Sequence, residues 1–193
     1  MKVIGLTGSI AMGKSVAALM LRQLKIPVWD ADQVVHRLLA KHGAAVEKVA
    51  AVFPSVLNDQ AIDRAALGKI VFQDDIALKK LEQIIHPLVR QSEQQFLKHA
   101  RMARRKLVVL DIPLLYEQHR EKDMDAVMVV TASRLLQRKR ALKRTGMTEE
   151  KLRFILAKQM PDNAKRRLCD YIVISGLGRA VAKRQIMKMI ENN

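Results

Sequence analysis

Apolar positions in this chain arrive in two rhythms. Short runs at Val3 to Leu6, Pro27 to Trp29, Lys106 to Leu110, Ala126 to Val130 and Tyr171 to Ile174 have the length of buried strands. Between them the apolar residues recur at helical spacing: Val16, Leu19, Met20 and Leu24, then Val34, Val35, Leu38 and Leu39, and last the amphipathic stretch 180 to 190. Strands alternating with helices predict an α/β chain, a parallel sheet flanked by helices. From Gln33 to Lys106 no long strand interrupts the text. There Leu67, Ile70, Val71, Leu78, Leu81, Ile84 and Ile85 predict two helices that part near Gln73-Asp74. His86-Pro87 breaks that periodicity, and because proline disfavours a helical conformation in the residue before it, a helix boundary or kink is expected there. So long a helical insertion exceeds what a crossover between strands requires. Farther on, Gly146 to Glu150 reads as a loop joining two basic helices, with Thr148 as an N-cap.

Composition narrows the class. A chain of 193 residues with 49% apolar and only 4% aromatic side chains suits a core of Leu, Val, Ile and Ala. Cys169 is the single cysteine, which excludes an internal disulfide framework and fits a reducing compartment. No secretory signal is read at the N-terminus, and no uncharged run of the ~18 residues that a bilayer span needs. A cytoplasmic protein with no membrane partner is expected. The 35 Lys+Arg against 19 Asp+Glu leave a net charge of +16. Six basic residues fall between Arg134 and Arg144 with no acid among them, and further clusters lie at 98 to 106 and at Lys165-Arg166-Arg167. Such a surface draws polyanions without choosing among them, and part of it is solvated helix face.

The choice comes from the first fifteen residues. Gly8, Gly13, Lys14 and Ser15 satisfy the pattern G-x-x-x-x-G-K-[ST], between a predicted strand and a predicted helix. That arrangement turns backbone N–H groups and a helix N-terminus toward a polyphosphate, with the lysine on the β- and γ-phosphates and the serine hydroxyl on Mg²⁺. Asp30 and Asp32 follow the second strand, and in open α/β sheets the ligand crevice lies outside the carboxyl ends of the strands. Either acid would then stand near the γ-phosphate, or cap the helix that follows. Asp111 ends the third strand, where a carboxylate holds Mg²⁺ directly or through its water. His36, His42 and His99 have no metal-like spacing.

Taken together and in order, these motifs resemble the dephospho-coenzyme A kinase family. The resemblance rests on Gly5-Leu6-Thr7-Gly8 with Gly13-Lys14-Ser15, Asp30-Ala31-Asp32, Asp63-Arg64 followed by Leu67 and Val71-Phe72, and Leu81-Glu82 with His86-Pro87. It continues through Asp111-Ile112-Pro113-Leu114-Leu115-Tyr116-Glu117, Arg140, Arg144, Gln159, and Lys165 with Asp170. It implies a P-loop NTPase-type parallel sheet flanked by helices in one chain, 1–193. The core would be 1–32, 106–133 and 168–193, the helical acceptor-binding insertion 33–105, and the helical lid 134–167. The implied reaction moves the γ-phosphoryl group of ATP to the ribose 3′-hydroxyl of dephospho-coenzyme A. By that resemblance Gly8, Ile10, Ala11, Met12, Gly13, Lys14, Ser15, Val16 and Arg144 bind ATP, and Ser15 and Asp111 hold Mg²⁺. Lys14, Asp32 and Arg140 are the expected catalytic residues. The acceptor would meet Asp30, Asp32, Arg64, His86, Pro87, Leu115, Tyr116 and Glu117.

Some positions depart from the family text. Ala11 stands where a glycine is usual, and a Cβ at positive φ carries strain of order 1 kcal/mol or more. Ile155 stands where an arginine is often found. A P-loop kinase for another small acceptor is disfavoured by the Asp-Ile-Pro-Leu-Leu-Tyr-Glu string. A nucleic-acid-binding role is disfavoured by the scarcity of aromatic residues for stacking. A monomer or weak homo-oligomer with no nucleic-acid partner is expected.

Overall fold

Five of the strands assemble into one sheet, in the order β2-β5-β1-β6-β7. The computed structural model describes residues 1–192, with Gln73 described by its backbone alone, so the final residue of the expected core segment 168–193 lies outside the described residues. The elements run β1 (Lys2–Thr7), α1 (Lys14–Gln23), β2 (Val28–Asp30), α2 (Ala31–Leu39), α3 (Val46–Val52), β3 (Leu57–Asn58), β4 (Ala61–Ile62), α4 (Arg64–Gln73) and α5 (Asp75–Met102). They continue with β5 (Leu107–Asp111), β6 (Ala126–Thr131), α6 (Arg134–Leu142), α7 (Glu149–Lys158), α8 (Asp162–Leu168), β7 (Tyr171–Ile174) and α9 (Arg179–Glu191). The chain divides into two compact units, Met1–Trp29 with Ala100 onward, and Asp30–His99.

In the first unit β5, β1, β6 and β7 pair in parallel, with Leu6 opposite both Asp111 and Met128. Such strands read as unbroken apolar runs because helices cover the faces. Here Ala17, Ala18, Met20 and Leu21 of α1, with Ala182, Ile186 and Met189 of α9, pack on Ile4, Leu6, Val109, Met128, Val130 and Val173. Each large side chain buried there contributes about 1.5–3 kcal/mol, which holds the strand ends and the loops after them in place.

The second unit is helical apart from the short β3–β4 hairpin. Its core gathers Val46, Val49, Phe53, Val56, Leu67, Ala77 and Ile85. The expected break between α4 and α5 falls at Asp74, whose side chain accepts hydrogen bonds from the Ile76 and Ala77 N–H groups. Of the boundary or kink expected at His86-Pro87, the boundary is corrected: α5 continues from Asp75 to Met102 with Pro87 inside it. An internal proline removes one helical hydrogen bond and costs about 3 kcal/mol. Apolar packing on both sides of it, by Leu81, Ile84, Ile85, Leu88 and Val89, carries the helix across.

Candidate active site

The glycine loop leaves β1 and enters α1 at Lys14. Gly13 is the N-cap at φ 95, with no side-chain cap and no acid in the first turn, so no side chain competes with an anion for the helix end. Gly8 is required by crowding, because a Cβ there would stand 2.6 Å from the Val130 carbonyl oxygen. Lys14 Nζ meets Asp111 Oδ1 at 2.5 Å, and Asp111 is almost wholly buried. Asp111 keeps this position because its strand pairs in register with β1 and because Thr7 Oγ1 donates to the Pro113 carbonyl at 3.0 Å. Ser15 and Val16 are exposed on the first turn of α1.

The basic segment after β6 grips the same loop. From α6, Gln137 Nε2 donates to the Ile10 carbonyl at 2.9 Å, and just past α7 the Gln159 side-chain oxygen accepts from the Ile10 N–H at 3.0 Å. Ala11 has φ 61, the positive value that makes its Cβ a strain, and its methyl is buried with Ala141 and Leu152, flanked by Met147 and Leu156. Arg140 donates to the Ser175 hydroxyl at 2.8 Å, and that hydroxyl donates to the Met12 carbonyl at 2.6 Å. Arg144 is exposed just past α6. Gln137 and Ser175 belong to no motif in the sequence, and Gln159 has no role that its neighbours announce. The only trace of Gln137 is its place one turn before Arg140 and Ala141 on one helix face. A cavity of about 600 Å³ beside Met12 and Gln137 is rimmed by Arg134, Arg138, Arg153 and Arg166 against Glu149 and Asp162, a field that favours anions.

The segment after β5, which the resemblance assigns to the acceptor, carries Leu115 and Tyr116 as buried side chains. Leu115 is fully buried beneath β1, where a Cβ on Gly5 would lie 2.5 Å from its Cδ1. Tyr116 is buried as well, and its hydroxyl has no hydrogen-bond partner among the described residues. Burial, reinforced by Cys169, Asp170 and Glu121, pushes its phenol well above the usual range. Glu117 Oε1 lies 2.8 Å from the wholly buried Lys165 Nζ and accepts the Met160 N–H at 2.8 Å. Burial also raises the Cys169 thiol above its ordinary value, away from the lowered range of a reactive thiolate.

Tyr116→Phe is therefore expected to stabilise the fold by about 1 kcal/mol at neutral pH, since it removes a buried hydroxyl that lacks a partner. The unfolded phenol ionises near pH ~10 and the folded one later, so the tyrosine form is held below that pH and loses stability as pH rises above it. Urea midpoints at neutral pH and near pH ~10.5 check this; the gap between variant and parent should widen at the higher value. A constant gap would show a solvated hydroxyl.

In the second unit, Asp30 is the N-cap of α2, accepting the Gln33 N–H at 3.0 Å, while Asp32 is exposed in the first turn. The capping alternative thus holds for Asp30. Asp63 caps α4 through the Ala65 and Ala66 N–H groups, and Arg64 is exposed beside it. His86 and Pro87 are exposed on α5. Among the described residues no cluster of three His, Cys, Asp or Glu side chains makes a cation cage, and no helix is long and apolar enough to cross a membrane.

A sequence model of the dephospho-CoA kinase family matches residues 2–177. A dephospho-CoA kinase of Paramagnetospirillum magneticum is 58% identical over 166 residues, covering 86% of this chain and 78% of its own. One from Mesorhizobium japonicum is 49% identical over 191 residues, covering 99% and 96%. Among solved structures, TT1252 from Thermus thermophilus superposes with TM-score 0.83 at 30% identity, covering 99% of this chain and 96% of its own. Dephospho-CoA kinase from Campylobacter jejuni shares the fold at TM-score 0.68 and 24% identity, over 99% and 96% of the two chains. With its glycine loop, the acid-ended third strand of its sheet and a match over almost its whole length, the chain belongs to the dephospho-CoA kinase family.

Proposed function

We propose that this protein transfers the γ-phosphoryl group of ATP to the ribose 3′-hydroxyl of dephospho-coenzyme A, giving coenzyme A and ADP, the last step of coenzyme A biosynthesis. The observation that carries the reading is Lys14 held on Asp111 beside the uncapped N-terminus of α1. Phosphoryl transfer depends on positioning and charge neutralisation more than on covalent chemistry by the protein. The backbone from Ile10 to Val16 binds the ATP phosphates, with Lys14 on the transferring group. Arg140 stabilises charge on the equatorial oxygens, and Arg144 contributes to ATP binding. The acceptor oxygen forms the new bond to phosphorus as the bond to the β-phosphate oxygen breaks. Asp32 orients the hydroxyl and takes or passes on its proton, a task its exposed carboxylate can perform while that of Asp30 is engaged in the cap. Arg64, His86 and Pro87 hold the acceptor.

The oxygen donors of Asp111 and Ser15, and the lack of a cation cage among the described residues, fit magnesium, which takes one or two protein oxygens and completes its shell with phosphate and water. Ser15 and Asp111 would hold it, and its chemistry there is to neutralise phosphate charge. The helical arms α6 and α7 act as a lid that keeps water from the γ-phosphate.

The test follows ADP release with Mg-ATP and dephospho-coenzyme A, AMP or no acceptor, and identifies the phosphorylated product by mass. ADP formed only with dephospho-coenzyme A is the expected result; release independent of acceptor, or transfer to AMP, would sink the reading. Asp32→Asn should lower kcat by about 10²-fold, while Asp30→Asn, which keeps a good N-cap, should lower it less than about tenfold. The reverse order would exchange their roles.

A further inference from the structure

Ser175 begins the turn after β7, 163 residues from Met12 in sequence, yet one hydroxyl of it joins two parts of the site. Its Oγ donates to the Met12 carbonyl at 2.6 Å and accepts from Arg140 Nη1 at 2.8 Å. Its carbonyl oxygen accepts from Nη2 of the same guanidinium at 3.2 Å. Both terminal nitrogens of Arg140 are thus registered on a single residue, which fixes the plane as well as the position of the group. The fit against the loop is close. A Cβ on Gly13 would stand 2.8 Å from Ser175 Oγ and 3.4 Å from Arg140 Nη1, so the guanidinium rests directly over the glycine that precedes Lys14. A hydroxyl donates and accepts at once, which this bridge requires and which alanine cannot supply.

We propose that Ser175 is a positioning residue that holds Arg140 over the nucleotide loop before ATP arrives, so that the arginine meets the transferring group without first having to be ordered. The inference deepens the kinase reading and rests on it. A guanidinium has five N–H donors, so the two bonds to Ser175 leave others to turn to phosphate oxygens.

The test is a double-mutant cycle on coenzyme A formation. Ser175→Ala should lower kcat about tenfold with KM for dephospho-coenzyme A nearly unchanged, and Ser175→Thr should restore most of it. Arg140→Ala should lower kcat by a larger factor. In that background Ser175→Ala should lower it by less than about twofold further, because its effect passes through the arginine. Losses that multiply, or a Ser175→Ala enzyme with parental kcat, would overturn the proposal. Where Ser175→Ala gives too little folded protein, Ser175→Cys, which weakens both hydrogen bonds at similar volume, carries the same comparison. A parental protein that forms no coenzyme A would overturn the kinase reading and this inference with it. A parental protein that forms it beside an additive cycle would overturn this inference alone.

Discussion

Lys14→Ala is expected to lower kcat/KM by about 10³-fold, with part of the loss in ATP affinity. The size follows from what Lys14 faces. Asp111 lies 2% exposed at the strand end with its Oδ1 2.5 Å from the ammonium. In so dry a place a carboxylate beside an incoming polyphosphate is a strong repulsion, and Lys14 is the cation placed between them. Alanine removes the attraction for the γ-phosphoryl group and exposes the ligand to the buried charge. Lys14→Arg keeps the charge but not the reach of a slender point cation, so it should recover ATP binding more than turnover. Asp111→Asn in the Lys14→Ala background also removes a carboxylate that would hold magnesium, and should lower ATP affinity further. Steady-state kinetics and calorimetric ATP titration of the three variants check the argument; a Lys14→Ala loss below about tenfold would mean the lysine does not touch the transferring group.

Glu117→Ala carries the largest expected effect on stability, a loss of about 3–5 kcal/mol. Lys165 has no exposed side-chain surface and its Nζ has the Glu117 carboxylate 2.8 Å away. Taking away that carboxylate strands an ammonium in the interior and releases the Met160 N–H. For a domain whose whole stability is about 5–15 kcal/mol, such a loss shifts the melting temperature by roughly 10 °C. Glu117→Gln combined with Lys165→Met removes both charges and should cost markedly less than Glu117→Ala. A Glu117→Ala protein with parental melting temperature and a raised KM for dephospho-coenzyme A would show that Glu117 acts on the acceptor and not on the fold.

Much of the nucleotide loop was legible in the sequence because its demands are local. A carbonyl against Gly8, a positive φ at Gly13 and a helix starting at Lys14 all lie within one short pattern. The same holds for the caps Thr148 and Asp30, which act on amides three residues away. What stayed hidden depends on distant partners. Gln137 reaches Ile10 across 127 residues, and nothing near Ser175 announces that Arg140 and Met12 converge on it. Lys165 was masked by its neighbours: in Lys165-Arg166-Arg167 it reads as one more surface cation, yet it alone turns inward while the two arginines are exposed. At Pro87 the local rule for a boundary gave way to the packing of a long helix.

Ala11 joins two things that a glycine would keep apart. Its backbone is held at φ 61 against a steric cost of order 1 kcal/mol, and the methyl that incurs the cost is the one that fills the seat between Ala141 and Leu152. Backbone shape in the loop and the resting place of α6 and α7 are therefore a single mechanical variable. If those helices lifted, the strained residue would lose its support, and if that residue relaxed, the seat beneath the helices would empty. A glycine at this position would remove strain and methyl together, and the loop would keep its curvature without any memory of where the helices stand.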